Sequence, residues 1–291
     1  MPYVFVLLWS SSFITARVGL ALVSPLLFVE VRLLSAAAIL LAAMAIRRES
    51  WAPLRGRWHH LAIAGALVNG VTLGAFHVGM VSVDAAPMAL VQATSPLLIA
   101  LLGRPLLGER LGTRQWLGIL LGLAGVLLVV APRAAHSRAE LGAVLLGGLG
   151  VLGLAGGTLY FGRHCRGVPL LPATAVQLAA GAALVLVALV AFETPRAAWT
   201  PPAVAAVAWN VAVVSIGGMV LYYFMLNRGA AGGVAANFYL VPGVVALLGW
   251  SLLGEALSSL AIAGVMMASL GVWLAQSGRG ADAPGPPARA S

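Results

Sequence analysis

An all-α integral membrane protein of about ten transmembrane helices, built as two inverted five-helix repeats, is the fold class this sequence predicts. Three observations carry the prediction. The chain is 61% hydrophobic and 9% charged over 291 residues, with a mean hydropathy of +1.01. Apolar runs long enough to cross a hydrocarbon core of ~30 Å recur along nearly the whole length. One stretch also occurs twice: residues 87–130 return, without a gap, as residues 233–276. Pro96 falls on Pro242 and Glu109 on Glu255, both at an offset of 146 (242 − 96 and 255 − 109), and each Glu closes an identical LLGE. Gly118 and Gly125 fall on Gly264 and Gly271, Phe76-His77 on Tyr222-Tyr223, and Arg17 on Arg163. A self-similarity this long marks a duplication of the whole chain.

Taken in order, the spans are expected at 3–22, 25–46, 61–83, 86–104, 114–131, 140–162, 172–192, 203–226, 231–252 and 257–276. Residues 1–131 form the first repeat and 140–276 the second; the Pro/Gly/Ala-rich tail 277–291 is expected to be disordered and cytoplasmic. The loops are short, so neighbouring spans are expected as antiparallel hairpins. Pro25, Pro87 and Pro172 stand near span starts, where a missing N–H costs little. The first run has no basic segment before it and is the repeat mate of the sixth, so it is expected to belong to the fold and not to be a cleaved signal.

The formal charge is +9, and every basic residue is an arginine. These arginines sit in the loops between apolar runs, which is the positive-inside pattern and not a nucleic-acid surface. With the N-terminus inside, the inner loops hold Arg47, Arg48, Arg55, Arg57, Arg104, Arg110, Arg114, Arg163, Arg166 and Arg228, and the tail holds Arg279 and Arg289. The outer loops hold Arg133, Arg138 and Arg196. A bacterial inner-membrane protein with both termini cytoplasmic is therefore expected. Halves with an odd number of spans must insert in opposite senses, which puts Glu109 near the inner face and Glu255 near the outer one. Inverted halves around a midplane site are the signature of secondary transporters, because one pattern in two orientations supplies a similar gate to each side.

Other chemistries lack their residues. A single cysteine, Cys165, permits no internal disulfide and no cysteine metal cluster. There is no G-x-x-x-x-G-K-[ST] for an ATP motor, no H-E-x-x-H and no G-x-S-x-G. No cofactor, metal or enzymatic activity is expected.

The order of short motifs points further. It runs WSSSF in the first span, Glu30-Val31-Arg32 in the second, TSPL around Pro96 in the fourth and LLGE before the fifth, with Pro242 and LLGE again in the second half. In this the chain resembles the ten-helix drug/metabolite transporter superfamily, EamA branch, over essentially residues 1–276. The resemblance implies a transporter most like bacterial exporters of amino acids and related metabolites.

The candidate site residues come from polar and aromatic groups inside apolar spans. Arg17 and Glu30 lie at similar distances from the first turn, and so are expected at one depth as an ion pair or a coupling group, since a lone charge in lipid is costly. Arg32 stands ready to attract a carboxylate or to snorkel. Trp9 and Ser12 share a helical face, although consecutive hydroxyls also bond to their own helix. Asn69, Thr72 and Phe76 form one stripe, with His77 beside it. Gln92 and Ser95 precede Pro96, and Asn237 and Tyr239 precede Pro242; the two prolines are expected to kink their spans as gate pivots. Tyr222 and Tyr223 are the repeat mates of Phe76 and His77. Asp84, Glu109 and Glu255 stand at span ends and are expected to cap helices. The glycines of the fifth and tenth spans are expected to let helices pack closely, as a buttress or a dimer face.

The leading expectation is alternating-access export of small neutral or zwitterionic metabolites, amino acids including aromatic and hydrophobic ones first among them. The partners are then the substrate and the lipid bilayer, and the protein is a monomer or a homodimer. Efflux of drugs or lipophilic cations on Glu30 is the alternative within transport. A membrane scaffold without transport is the alternative outside it.

Overall fold

A computed structural model describes residues 2–107, 112–165, 167–218, 221, 240–256 and 258–277. They form α1 (Pro2–Leu20), α2 (Pro25–Arg47), α3 (Trp58–Gly79), α4 (Ala85–Gln92 and Ser95–Leu107), α5 (Thr113–His136), α6 (Arg138–His164), α7 (Leu170–Phe192), α8 (Pro201–Gly218), α9 (Val241–Leu253) and α10 (Ser259–Ser277). Eight of these are long and apolar enough to cross a membrane, and α9 and α10 are shorter apolar helices. The fold is all-α and membrane-spanning, in two inverted five-helix halves.

Sequence neighbours are not the main packing partners, contrary to the hairpin expectation. α1 lies against α8 and α9, α2 against α7, α3 against α6 and α7, α4 against α6 and α9, and α5 against α10. Each pairing joins one half to the other and respects the repeat. α2–α7 and α5–α10 pair a helix with its own counterpart, α3–α6 is the mate of α1–α8, and α4–α6 is the mate of α1–α9. The physical reason is surface composition. Lipid tails are as apolar as leucine, so helices associate where small residues permit close approach, and those residues face across the halves. Gly125 sits so near α10 that an added Cβ would lie 2.6 Å from both the Ala268 nitrogen and the Gly264 oxygen. Gly70 and Gly181 do the same for α3 and α7, where a Cβ on Gly181 would lie 2.6 Å from the Asn69 Cβ.

Two helices carry a π-helical stretch, Ala66–Val71 in α3 and Asn210–Gly218 in α8. Shifted by the repeat offset of 146, the first falls inside the second, on 212–217. α4 has a break. It stops at Gln92, turns through Ala93 and Thr94 and resumes at Ser95, and α9 starts at Val241, the residue at the same offset from Ser95. The residues just before Leu240 lie outside the described ones. Pro96 and Pro242 are each the second residue of a helical segment, and Pro96 is not a kink within a continuous one. Their missing N–H falls where a helix has no use for it, and the Gln92 carbonyl accepts the Ser95 hydroxyl instead.

At the end of the bundle away from the N-terminus, the α1–α2 turn is tied to the α7–α8 loop. Ser24 N–H donates to Arg196 O (2.8 Å), Ala198 N–H to Leu22 O (2.9 Å) and Arg196 N–H to the Ser24 hydroxyl (3.1 Å). The Glu193 carboxylate accepts the N–H groups of Leu26 and Leu27 at 2.9 and 3.1 Å. It thereby caps α2 from outside, since Ser24 makes no side-chain cap there and an anion suits a helix N-terminus.

Candidate functional site

The residue around which polar groups gather is Arg32, buried in α2. Its Nε donates to the Ser215 hydroxyl at 3.1 Å and its Nη1 to Asn210 Oδ1 at 3.0 Å, both on the π stretch of α8. Asn210 is fully buried and passes the connection on, its amide donating to the Thr15 hydroxyl of α1 (2.8 Å) and to Ala206 O (3.0 Å). A π turn adds a residue and loosens the regular ladder, which is why such turns cluster at functional positions. Here it lets Asn210 and Ser215 reach one guanidinium. The Trp209 indole next to it donates to the Ser11 hydroxyl at 2.8 Å. Among the described residues, no carboxylate forms an ion pair with Arg32. A buried guanidinium held by neutral groups keeps an uncompensated charge.

One turn before Arg32 on α2, Phe28 stacks on His77 of α3, with ring centroids 5.6 Å apart. His77 is buried; its Nδ1 bonds to Leu73 O at 2.8 Å and its Nε2 has no partner among the described residues. Glu30 is buried as well, and its Oε2 has no partner among the described residues. Arg17 does not pair with it. Arg17 instead reaches the Met80 carbonyl and, at 3.7 Å, the Asp84 carboxylate. Distance from the first turn carries no information on helix rotation: Arg17 faces the α3–α4 turn, and α1 and α2 barely touch.

Other expected residues are placed as follows. Thr72 and Phe76 are buried against α6, with the Thr72 hydroxyl 3.0 Å from Leu67 O and 3.1 Å from Gly150 O. A Cβ on Gly150 would lie 2.9 Å from the Phe76 ring. Asn69 packs toward Gly181 of α7. This stripe therefore fills the seam between halves and does not face open space. Ser12 donates to Trp9 O at 2.7 Å, as a helix hydroxyl commonly does. The Trp9 ring rests on Phe5 at 5.6 Å. Gln92 and Ser95 flank the α4 break. Tyr222, Tyr223, Asn237, Tyr239 and Glu109, and the tail 278–291, lie outside the described residues.

Asn210, Ser215 and Thr15 were missed in the sequence. Ser215 stands at the repeat offset from Asn69, so a symmetry argument applied to every polar residue of α3 would have found it. Nothing local announces a π turn that turns Asn210 toward α2.

Glu255, in the α9–α10 turn, accepts the Ala85 N–H at 3.0 Å and so caps α4 and not the span end at which it stands, while Asp84, just before α4, makes no side-chain cap. Arg17, Asp84 and Glu255 line a cavity of about 790 Å³ at that end.

The EamA-like transporter family matches residues 3–131 and again residues 141–276. The uncharacterized inner membrane transporter YedA of Escherichia coli (strain K12) is 28% identical over 260 residues, covering 87% of this chain and 82% of that one. The uncharacterized transporter YoaV of Bacillus subtilis (strain 168) is 24% identical over 275 residues, covering 92% of each. A solved crystal structure superposes with a TM-score of 0.67 over 94% of both chains at 22% identity, a likeness of fold.

Proposed function

Starting from a chain that belongs to the EamA-like transporter family, we propose that it exports small zwitterionic metabolites, amino acids with apolar or aromatic side chains first among them, by alternating access. The observation that carries the substrate class is Arg32: a buried guanidinium, fixed on two sides by Asn210 and Ser215, with no acidic partner among the described residues. A carboxylate reaching this guanidinium gains a charge-assisted bond in a low-dielectric setting. The Phe28–His77 stack one turn away offers an aromatic wall. The paired π turns and the break of α4 before Ser95 are soft points, where inverted halves can exchange conformations. The cavity with Arg17, Asp84 and Glu255 then serves as the exit vestibule, since it offers both signs of charge to a zwitterion. The protein works in the bacterial inner membrane with both termini cytoplasmic, as a monomer or homodimer.

The test is binding. Phenylalanine and phenylalaninamide differ only in the carboxylate, and their effect on the melting of purified protein in detergent separates them. Stabilisation by the acid alone, lost in Arg32→Gln, supports the reading; equal stabilisation by both, or none by any amino acid, rejects it.

A second reading rests on Glu30, a buried carboxyl whose Oε2 has no partner among the described residues. It supports efflux of lipophilic cations. Glu30→Gln abolishing cation resistance in cells while leaving amino-acid binding intact would favour it.

A further inference from the structure

Away from Arg32, four titratable rings meet at the end of the bundle that carries the N-terminus. His60 of α3 stacks on His164 of α6 with ring centroids 4.6 Å apart and planes 19° from parallel. His60 Nδ1 lies 2.8 Å from the Tyr160 hydroxyl, also on α6, and His164 Nδ1 bonds to the Tyr160 carbonyl at 3.1 Å. His59 closes the group, 3.9 Å from His60. Trp51 and Trp58, stacked at 5.2 Å and partly exposed, mark the membrane–water interface at this level. The rings are therefore within reach of aqueous protons, unlike His77 and Glu30.

We propose that the His60–Tyr160–His164 stack is a proton-binding latch between the two halves, closed when its imidazoles are neutral and released when they are charged. α3 belongs to the first half and α6 to the second, so this contact spans the seam that alternating access must open. Neutral imidazoles stack favourably, and with the His60 proton on Nε2 the Tyr160 hydroxyl donates to its Nδ1. Protonated His60 turns Nδ1 into a donor, so the hydroxyl must reverse. Two charged rings at this separation repel. The surroundings add no relief: Arg55 and Arg57 precede α3, Arg163 stands on α6 and the Cys165 thiol follows it; α7, packed against α3, has no ionisable side chain in Leu170–Phe192, and α4 and α5, packed against α6, carry Arg104 and Arg114 toward this end and no acid. No acid among the described residues faces the stack. Protons thus weaken the contact.

Cys165 is a native reporter. It is the only cysteine, is buried, and packs with Leu54, Leu61 and Ala173 beneath the stack. The experiment follows the rate at which a membrane-permeant maleimide labels Cys165 in the full-length protein in nanodiscs between pH 8 and 5.5. Each rate is divided by that of His60→Gln/His164→Gln. Burial pushes the Cys165 thiol up, but the reagent's dependence on thiolate is common to both proteins and cancels. The ratio is expected to rise at least about tenfold on acidification. If the double variant does not fold, His164→Gln alone serves as divisor and gives the same rise. His59→Gln should keep it. A ratio flat with pH, or a rise that persists when His164→Gln is compared with the double variant, overturns the latch. The latch takes its purpose from the alternating-access reading, whereas this test reads a local opening and needs no flux, so the two fail separately.

Discussion

The carboxylate of Glu255 accepts the backbone N–H of Ala85 at 3.0 Å, across 170 positions of chain. Ala85 opens α4, and the preceding Asp84 makes no side-chain cap there, so the helix borrows its cap from the α9–α10 turn. Asp84 is held from the other side by Arg17 of α1. Two adjacent residues of the α3–α4 turn are thus gripped by both halves.

Removing that cap has a definite signature. Glu255→Ala should lower stability by about 1 kcal/mol, the ordinary worth of a helix N-cap. Glu255→Gln should lose less, because its amide oxygen still accepts. Thermal unfolding in detergent reads both; equal losses would mean that the carboxylate charge, and not the hydrogen bond, matters.

Arg17 should couple to Asp84 and not to Glu30. The pair is 3.7 Å apart and about one third exposed on each side, so solvent screening holds a double-mutant coupling to about 0.5 kcal/mol. Arg17→Gln alone should cost more, since the Met80 carbonyl loses its donor. A cycle built on Arg17 and Glu30 should return a coupling indistinguishable from zero.

The α5–α10 contact should not tolerate volume. Gly125→Val places atoms where the Ala268 and Gly264 backbones already stand and should destabilise by about 2 kcal/mol or more, as overpacking does. Gly148→Ala on α6 meets nothing within 4 Å and should leave the melting temperature unchanged or slightly raised, since alanine favours a helix. Similar losses from both would show that glycine acts through flexibility and not through close approach.

The span count and the inverted duplication were legible because each leaves a one-dimensional trace: apolar length and a fixed offset. Which helices touch was not legible. Gly125, Gly181 and their partners mark close approach without naming the partner. Helix rotation was lost for the same reason, so Arg17 was matched to Glu30 by depth when its side chain turns to Asp84. Thr72 and Phe76 followed a helical stripe correctly, yet the stripe meets α6 and not open space. The π turn of α8 was invisible, because it depends on Asn210 finding Arg32 and Thr15, both distant in the chain.

The most direct measurement of the central claim is counterflow in proteoliposomes. Vesicles loaded with unlabelled phenylalanine are diluted into labelled phenylalanine, for the unmodified chain, Arg32→Lys and Arg32→Gln. The account predicts saturable accumulation for the unmodified chain, a loss of at least about tenfold for Lys, which cannot hold Asn210 and Ser215 with one fork, and no accumulation for Gln. Accumulation by the Arg32→Gln variant equal to that of the unmodified chain would contradict it.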